Sequence, residues 1–244
     1  MKKAIFTIVK NEKFFIKLWY EYYSQHFNPS DIYILNHDSN DSSLDVIKYT
    51  GCNIIDVHNE TTFDHNWLLQ TVKDFQVELL KKYDTVVFTE SDEFIVPLNV
   101  SLSDYVNTFD GEYVTCMGIE LLHGGMDYSP EKSVLEQKTN YRLNPEFMNK
   151  TLITKRPLNY THGFHKLIDM PDKIDENLLL IHLHYFDYNV FINRSYDRMK
   201  MSATFEKGDL GYQNKYTDIS AYLLDFNQHQ SKAETSNLNI PKVF

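Results

Sequence analysis

Short apolar runs alternate with segments of helical period through the first part of the chain, and this alternation limits the folds open to it. Residues 3–9 read as a continuous apolar strand, Asp31–Asn36 as a second, Asn53–Val57 as a third and Thr85–Phe88 as a fourth. Between them, Phe14, Phe15, Leu18, Trp19, Tyr22, Tyr23 and His26 fall at helical spacing, a short helix is expected around 43–49, and Leu68, Val72, Phe75, Leu79 and Tyr83 recur at intervals of three and four. Strands buried on both faces read as apolar runs, so the pattern predicts an α/β fold with a mostly parallel central sheet and helices on both faces. Ligands on such sheets bind at the carboxyl ends of the strands.

The second half is less periodic. A strand at Tyr113–Ile119 leads to the loop His123-Gly124-Gly125, and the Pro- and Asn-bearing stretch 128–161 shows no clear period. A strand returns at Leu178–His184, a helix is expected over about 188–206, and the polar tail from Gln228 onward is expected to be loosely held. The division expected is one domain over residues 1–195, with 196–244 as a C-terminal helix and tail on the same domain. A chain of 244 residues can bury a core without disulfides or a structural metal. Cys52 and Cys116 have no partner at zinc-ligand spacing and read as core residues in a reducing compartment.

A net charge of −10 argues against nucleic acid or anionic lipid as the main partner. The run Ala4–Val9 is too short for a signal peptide and ends at Lys10-Asn11-Glu12, and no stretch approaches the roughly 18 apolar residues of a membrane span. The expectation is a cytoplasmic protein, free or peripheral at the membrane, with no integral membrane segment.

The sharpest chemical signal is the fourth strand, which ends in the carboxylates Glu90, Asp92 and Glu93. Carboxylates crowded at a strand end repel one another unless a cation neutralises them, and hard divalent cations such as Mg2+ or Mn2+ choose oxygen ligands. The ordinary alternative is an acidic turn that faces water or caps the next segment. His182 and His184, two apart on a strand, share a face that a metal could use, although a satisfied core histidine is the usual reading of either alone.

In three ordered stations the chain resembles the nucleotide-sugar glycosyltransferases of the GT-A fold, a Rossmann-like α/β fold, in the family 2-like branch related to the family 92 enzymes. These are Val9-Lys10-Asn11-Glu12, then Ile34-Leu35-Asn36-His37-Asp38-Ser39-Asn40-Asp41, then Glu90-Ser91-Asp92-Glu93-Phe94-Ile95. Lys150-Thr151-Leu152-Ile153, His162-Gly163-Phe164-His165-Lys166 and His182-Leu183-His184-Tyr185 look like the later motifs, so the resemblance covers most of the first 195 residues.

The resemblance implies sugar transfer from a nucleotide-diphosphate sugar, UDP- or GDP-linked, to a hydroxyl of a glycan, glycolipid or protein-linked acceptor, with Mn2+ or Mg2+ as cofactor. Asp92 matches the second aspartate of the Asp-x-Asp motif and is the implied metal ligand. Glu90 stands at the first position on a longer side chain, and Glu93 is a ligand or an acceptor-side support. His184, in its pair with Tyr185, approaches metal or diphosphate. Val9, Asn11 and Glu12 match the loop that cradles the nucleotide, Asn36 stands where relatives carry a base-pairing aspartate, and Asp41 is a later acid of that loop or a helix cap. Lys150, Lys166 and His165 are implied to meet the diphosphate, with His162 and Arg194 as weaker contributors. Asp127 and Glu120, from the segment that lines the acceptor cleft, are the carboxylates offered as general base.

Two other classes remain open. A metal-dependent phosphohydrolase or nucleotidyltransferase would carry a second tight acidic or histidine cluster, and the sequence shows none. A non-catalytic glycan-binding relative would explain a drifted Asp-x-Asp motif, as Glu90 and Asn36 suggest.

Overall fold

In the computed structural model, which describes residues 1–61, 64–143, 148–200, 218–232 and 240–244, β1 (Lys3–Val9) organises the first half. It pairs in parallel with β2 (Ile32–His37) on one side and β4 (Thr85–Phe88) on the other, and β2 pairs in parallel with β3 (Asn53–Val57). The order β3-β2-β1-β4 is Rossmann-like, with all four carboxyl ends at one edge. The sheet continues through β8 (Lys150–Thr154), β6 (Tyr113–Leu122), β9 (Ile174–Tyr185) and β5 (Glu93–Pro97), with β7 (Tyr141–Leu143) paired to β6. β6 and β9 share the direction of the first four strands, whereas β5, β7 and β8 run against it. The α/β class and mostly parallel sheet expected from the sequence are therefore present.

Helix α1 (Lys13–Tyr23) buries Phe15, Ile16, Trp19, Tyr22 and Tyr23 along one face. Their polar tips fix the segment after β4: Trp19 Nε1 donates to Thr89 Oγ1 at 2.7 Å, Tyr23 Oη to the Glu93 carbonyl at 3.0 Å and Tyr22 Oη to the Ile95 carbonyl at 2.6 Å. Buried aromatics with a hydrogen-bonded tip join core packing to orientation. In this way a sequence-local amphipathic helix sets the acidic turn in place.

Helix α2 (His65–Leu80) is capped by Asp64, whose carboxylate accepts from the amides of Asn66 and Trp67. The stretch 128–161 holds α4 (Val134–Gln137), β7 and β8, after α3 (Leu102–Thr108) earlier in the chain. At Gly118 of β6 an added Cβ would lie 2.3 Å from the Met148 backbone, so only glycine lets the two segments close.

Three local expectations need correction. The segment near 43–49 forms only a 3-10 turn at Ser43–Val46. The helix expected over 188–206 is α5 (Tyr188–Arg198), and positions 201–206 lie outside the described residues. The tail is not loose where described: Gln228 and its neighbours belong to α6 (Ile219–Gln230), and Phe244 stacks on Phe94 at 4.3 Å while its carbonyl accepts from the Leu135 amide. Aromatic burial against the core outweighs the polar composition of the segment. Among the described residues no helix is long and apolar enough to cross a membrane.

Candidate functional site

The turn between β4 and β5 buries Asp92, and the Leu183 amide of β9 donates to the Asp92 carbonyl at 2.9 Å. Three side chains converge on Asp92 Oδ2: the Arg194 guanidinium of α5, His182 Nε2 at 3.5 Å and His184 Nδ1 at 3.9 Å. Burial works against the Asp92 carboxylate, but Arg194 and His182 hold its pKa well below the ordinary range. Burial and the nearby Arg198 keep the His184 pKa well below its usual value, which favours the neutral imidazole, and Arg194 Nη1 lies 3.4 Å from its Nδ1. His182 differs: although burial lowers its pKa, Glu120 and Asp92 raise it to about 10, and it is a cation.

One carboxylate and the two histidines offer ligand atoms within 4.8 Å of one another. The charge states select Asp92 and His184 from this set, an oxygen and a neutral imidazole that suit Mn2+. Arg194 extends from Asp92 to Glu12, with Nε and Nη2 donating to Oε1 at 3.0 and 2.6 Å, and its guanidinium lies 4.8 Å above the Phe15 ring. Arg198, one turn further along α5, reaches 3.5 Å from His184 Nε2. Two guanidiniums thus flank the Asp92–His184 pair.

The other acids of the turn have a different partner. Lys150 Nζ of β8 sits 2.5 Å from Glu90 Oε2 and 2.6 Å from Glu93 Oε1, and the Glu90 amide donates to Glu93 Oε2 at 3.1 Å. Lys150 is buried, and despite the cost of that burial its two acid partners raise its pKa. Glu90 thus lies outside the Asp92–His182–His184 group, and the Lys150 ammonium pairs with two carboxylates. Lys150 lies in the stretch 128–161 without clear period, about sixty residues from its partners, and left no local sign that it neutralises this turn.

At the carboxyl ends of β1 and β2 the two loops interlock. Asn11, at φ +55°, exchanges hydrogen bonds with Asn40, and its amide donates to Ser39 Oγ. Val9 is a core residue of β1, and Glu12 anchors Arg194. The Asn36 amide donates to Asp56 Oδ1 at 2.8 Å, and next to it His37 stacks on Trp67 at 4.5 Å. Asp41 accepts from the amides of Ser43 and Lys13, an Asx-turn contact that ties its loop to the start of α1.

His165 is half-buried, and its pKa is pushed down to about 3 by loss of solvent and by the charges of Lys150 and His182. His162 Nε2 pairs with Asn66 Oδ1 at 3.0 Å. Lys166 pairs with Asp172 at 2.6 Å on a half-exposed hairpin, so its charge is already matched there. Glu120, offered as a general base, is buried with its carboxylate 2.9 Å from His182 Nδ1 and 3.7 Å from Arg142. Asp127 faces solvent, 4.0 Å from His123 Nε2.

The structure also forms a second His/Asp group that the sequence reading did not see, His123, Asp127 and Asp187. Asp187 is already used: it caps α5 through the Val190 amide, accepts from the Tyr128 amide and lies 3.9 Å from Lys138. Arg198, Arg142 and His229 were also missed. Arg198 had one available sign, since it falls four residues after Arg194 on the same helix face.

No protein-family model matches the chain, and no curated protein matches it. Solved structures do align. Glucosyl-3-phosphoglycerate synthase from Mycobacterium tuberculosis, in complex with Mn2+, UDP and glucosyl-3-phosphoglycerate, is 16% identical over 49% of this chain and 44% of its own, with a TM-score of 0.32. A cytidylyltransferase from Leptospira borgpetersenii is 14% identical over 53% of this chain and 57% of its own, at 0.32. Staphylococcus aureus TarS is 13% identical over 94% of this chain and 49% of its own, at 0.42. This chain spans less than half the length of the first and last of these. The chemistry of the site rests on its own geometry.

Proposed function

We propose that the chain is a metal-dependent glycosyltransferase of the GT-A type, moving a sugar from a nucleoside-diphosphate sugar to an acceptor hydroxyl. The observation that supports this reading is the convergence of Asp92, a neutral His184, Arg194 and Arg198 at the carboxyl end of β4. Asp92 and His184 would hold Mn2+ or Mg2+, which supplies Lewis-acid stabilisation of a leaving diphosphate. Arg194 and Arg198 present planar donor forks suited to phosphate oxygens, and Glu12 holds Arg194 in place. Fixed positive charge aimed at the leaving group stabilises the transition state more than the ground state. The interlocked loops after β1 and β2, with Asn11 and Asn36, form the nucleoside side. Asp127, the solvent-facing carboxylate of the His123-Gly124-Gly125 loop, is the base assigned to the acceptor hydroxyl. The acceptor class is a glycan, a glycolipid or a protein-linked sugar.

The test is a thermal-shift panel of UDP, GDP, CMP and dTDP, each with and without Mn2+. UDP with Mn2+ is expected to raise the melting point, since a ligand that binds only the native state stabilises it by about 2.7 kcal/mol at a hundred times its Kd. No shift with any nucleotide in either condition overturns the reading in favour of a non-catalytic relative.

A further inference from the structure

Behind the Asp92–His184 pair a file of alternating charges runs outward to the C-terminal helix. His182 stands between Asp92, 3.5 Å away, and Glu120, 2.9 Å away. Arg142 of β7 lies 3.7 Å from Glu120, and its Nη2 donates to His229 Nδ1 of α6 at 2.7 Å. Burial and the Arg142 charge press the His229 pKa down to about 3, so its ring is neutral and can accept this bond. Helix α6 also grips the end of β9 beside His184. The His229 ring stacks on Tyr185 at 4.0 Å, Asp225 Oδ2 accepts from Tyr185 Oη at 2.6 Å, and Gln230 Nε2 donates to the Tyr185 carbonyl at 3.0 Å.

Glu120 and Arg142 are 2% and 9% exposed at their side chains. Taking such charges out of water costs several kcal/mol per ion, and apolar residues of the same volume would hold the sheet as well or better. The file gains orientation instead: a ring with a carboxylate facing each nitrogen has one favoured position, and partners behind a ligand fix where its lone pairs point. We propose that Glu120 is a positioning residue that holds the His182 ring against Asp92, and that helix α6 is the outer support of the donor site, acting through His229 and Arg142. The effect on binding rests on the glycosyltransferase reading, while the orientation of His182 does not.

Two variants test this in the full chain, Glu120→Gln, which keeps side-chain volume, and His229→Phe, which keeps the ring against Tyr185 and removes the acceptor. In 15N-histidine-labelled protein, with His182→Gln assigning the resonance, both variants are expected to move the His182 ring nitrogens. Calorimetric affinity for UDP with Mn2+ should fall in both variants, by about tenfold in Glu120→Gln, the low end of the loss for groups that orient a metal ligand, and by less in His229→Phe, which lies further out. Unmoved His182 resonances in both variants overturn the proposal whatever the donor. Moved resonances with unchanged affinity overturn the support role. If the parent protein itself binds no UDP while the resonances move, the glycosyltransferase reading fails and the positioning of His182 stands.

Discussion

Two groups of acids from one turn meet opposite fates. Glu90 and Glu93 close on the buried ammonium of Lys150, a compact three-member cluster within 2.6 Å. Asp92, between them in sequence, points to the other side and has several partners: it meets the Arg194 guanidinium in close contact, and His182 and His184 at 3.5 and 3.9 Å. The first cluster sets two carboxylates against one point charge from a neighbouring strand, and burial raises the Glu93 pKa there. The second is surrounded by guanidinium and imidazole groups that can exchange partners, which is the arrangement a ligand site requires. A run of carboxylates thus says that cations are near, and the turn between β4 and β5, which breaks the alternation of the strands, decides which acid faces which cation.

The contrast breaks most easily at Lys150. Lys150→Met leaves Glu93, fully buried, without its cation, and removing one partner of a buried pair costs about 3–5 kcal/mol. Urea unfolding should show a loss of that size, and a loss under about 1 kcal/mol would mean that the lysine does not carry the cluster. Asp92→Asn has the reverse profile. Arg194 keeps Glu12 as a partner, so stability falls less than in Lys150→Met, while affinity for UDP with Mn2+ falls about 100-fold or more, at least the upper bound for partners one shell further out. Equal affinity in Asp92→Asn and the parent protein removes Asp92 from the site.

The two halves of the sheet also differ in how legible they were. β1 to β4 and the helices between them follow from period and apolar runs, because each element buries a face defined within its own segment. In the second half, β7, β8 and α4 are short, and their pairing is fixed by distant partners such as Gly118 against Met148. Periodicity carries no information about such contacts. The site divides in the same way. Asp92 and His184 were readable from strand-end position and motif resemblance. The Lys150 cluster, the commitment of Glu120 to His182, and Arg142 with His229 were not, because those partners lie 57 to 87 residues apart and only the fold brings them together. Phe244 was missed for a related reason: a polar tail hides one aromatic residue that finds the core.

A smaller effect, spread over pH, separates the two ends of the charge file. His182 is held at about 10 by Glu120 and Asp92 against the cost of burial, so its stabilising contribution is fully present below about pH 6.5 and is lost as pH rises through 10. His229 is held at about 3, by burial first and then Arg142. The unfolded chain takes up a proton near pH 6.5 while the folded ring stays neutral, so stability falls as pH drops from there toward 3. Urea unfolding across this range should show both limbs. His182→Gln is expected to remove much of the alkaline decline, and His229→Phe to flatten part of the acid one, with His165, also near 3, supplying another part. An alkaline limb unchanged in His182→Gln would place that titration elsewhere. It would leave His182 neutral in the fold, and a neutral His182 could join Asp92 and His184 as a third metal ligand.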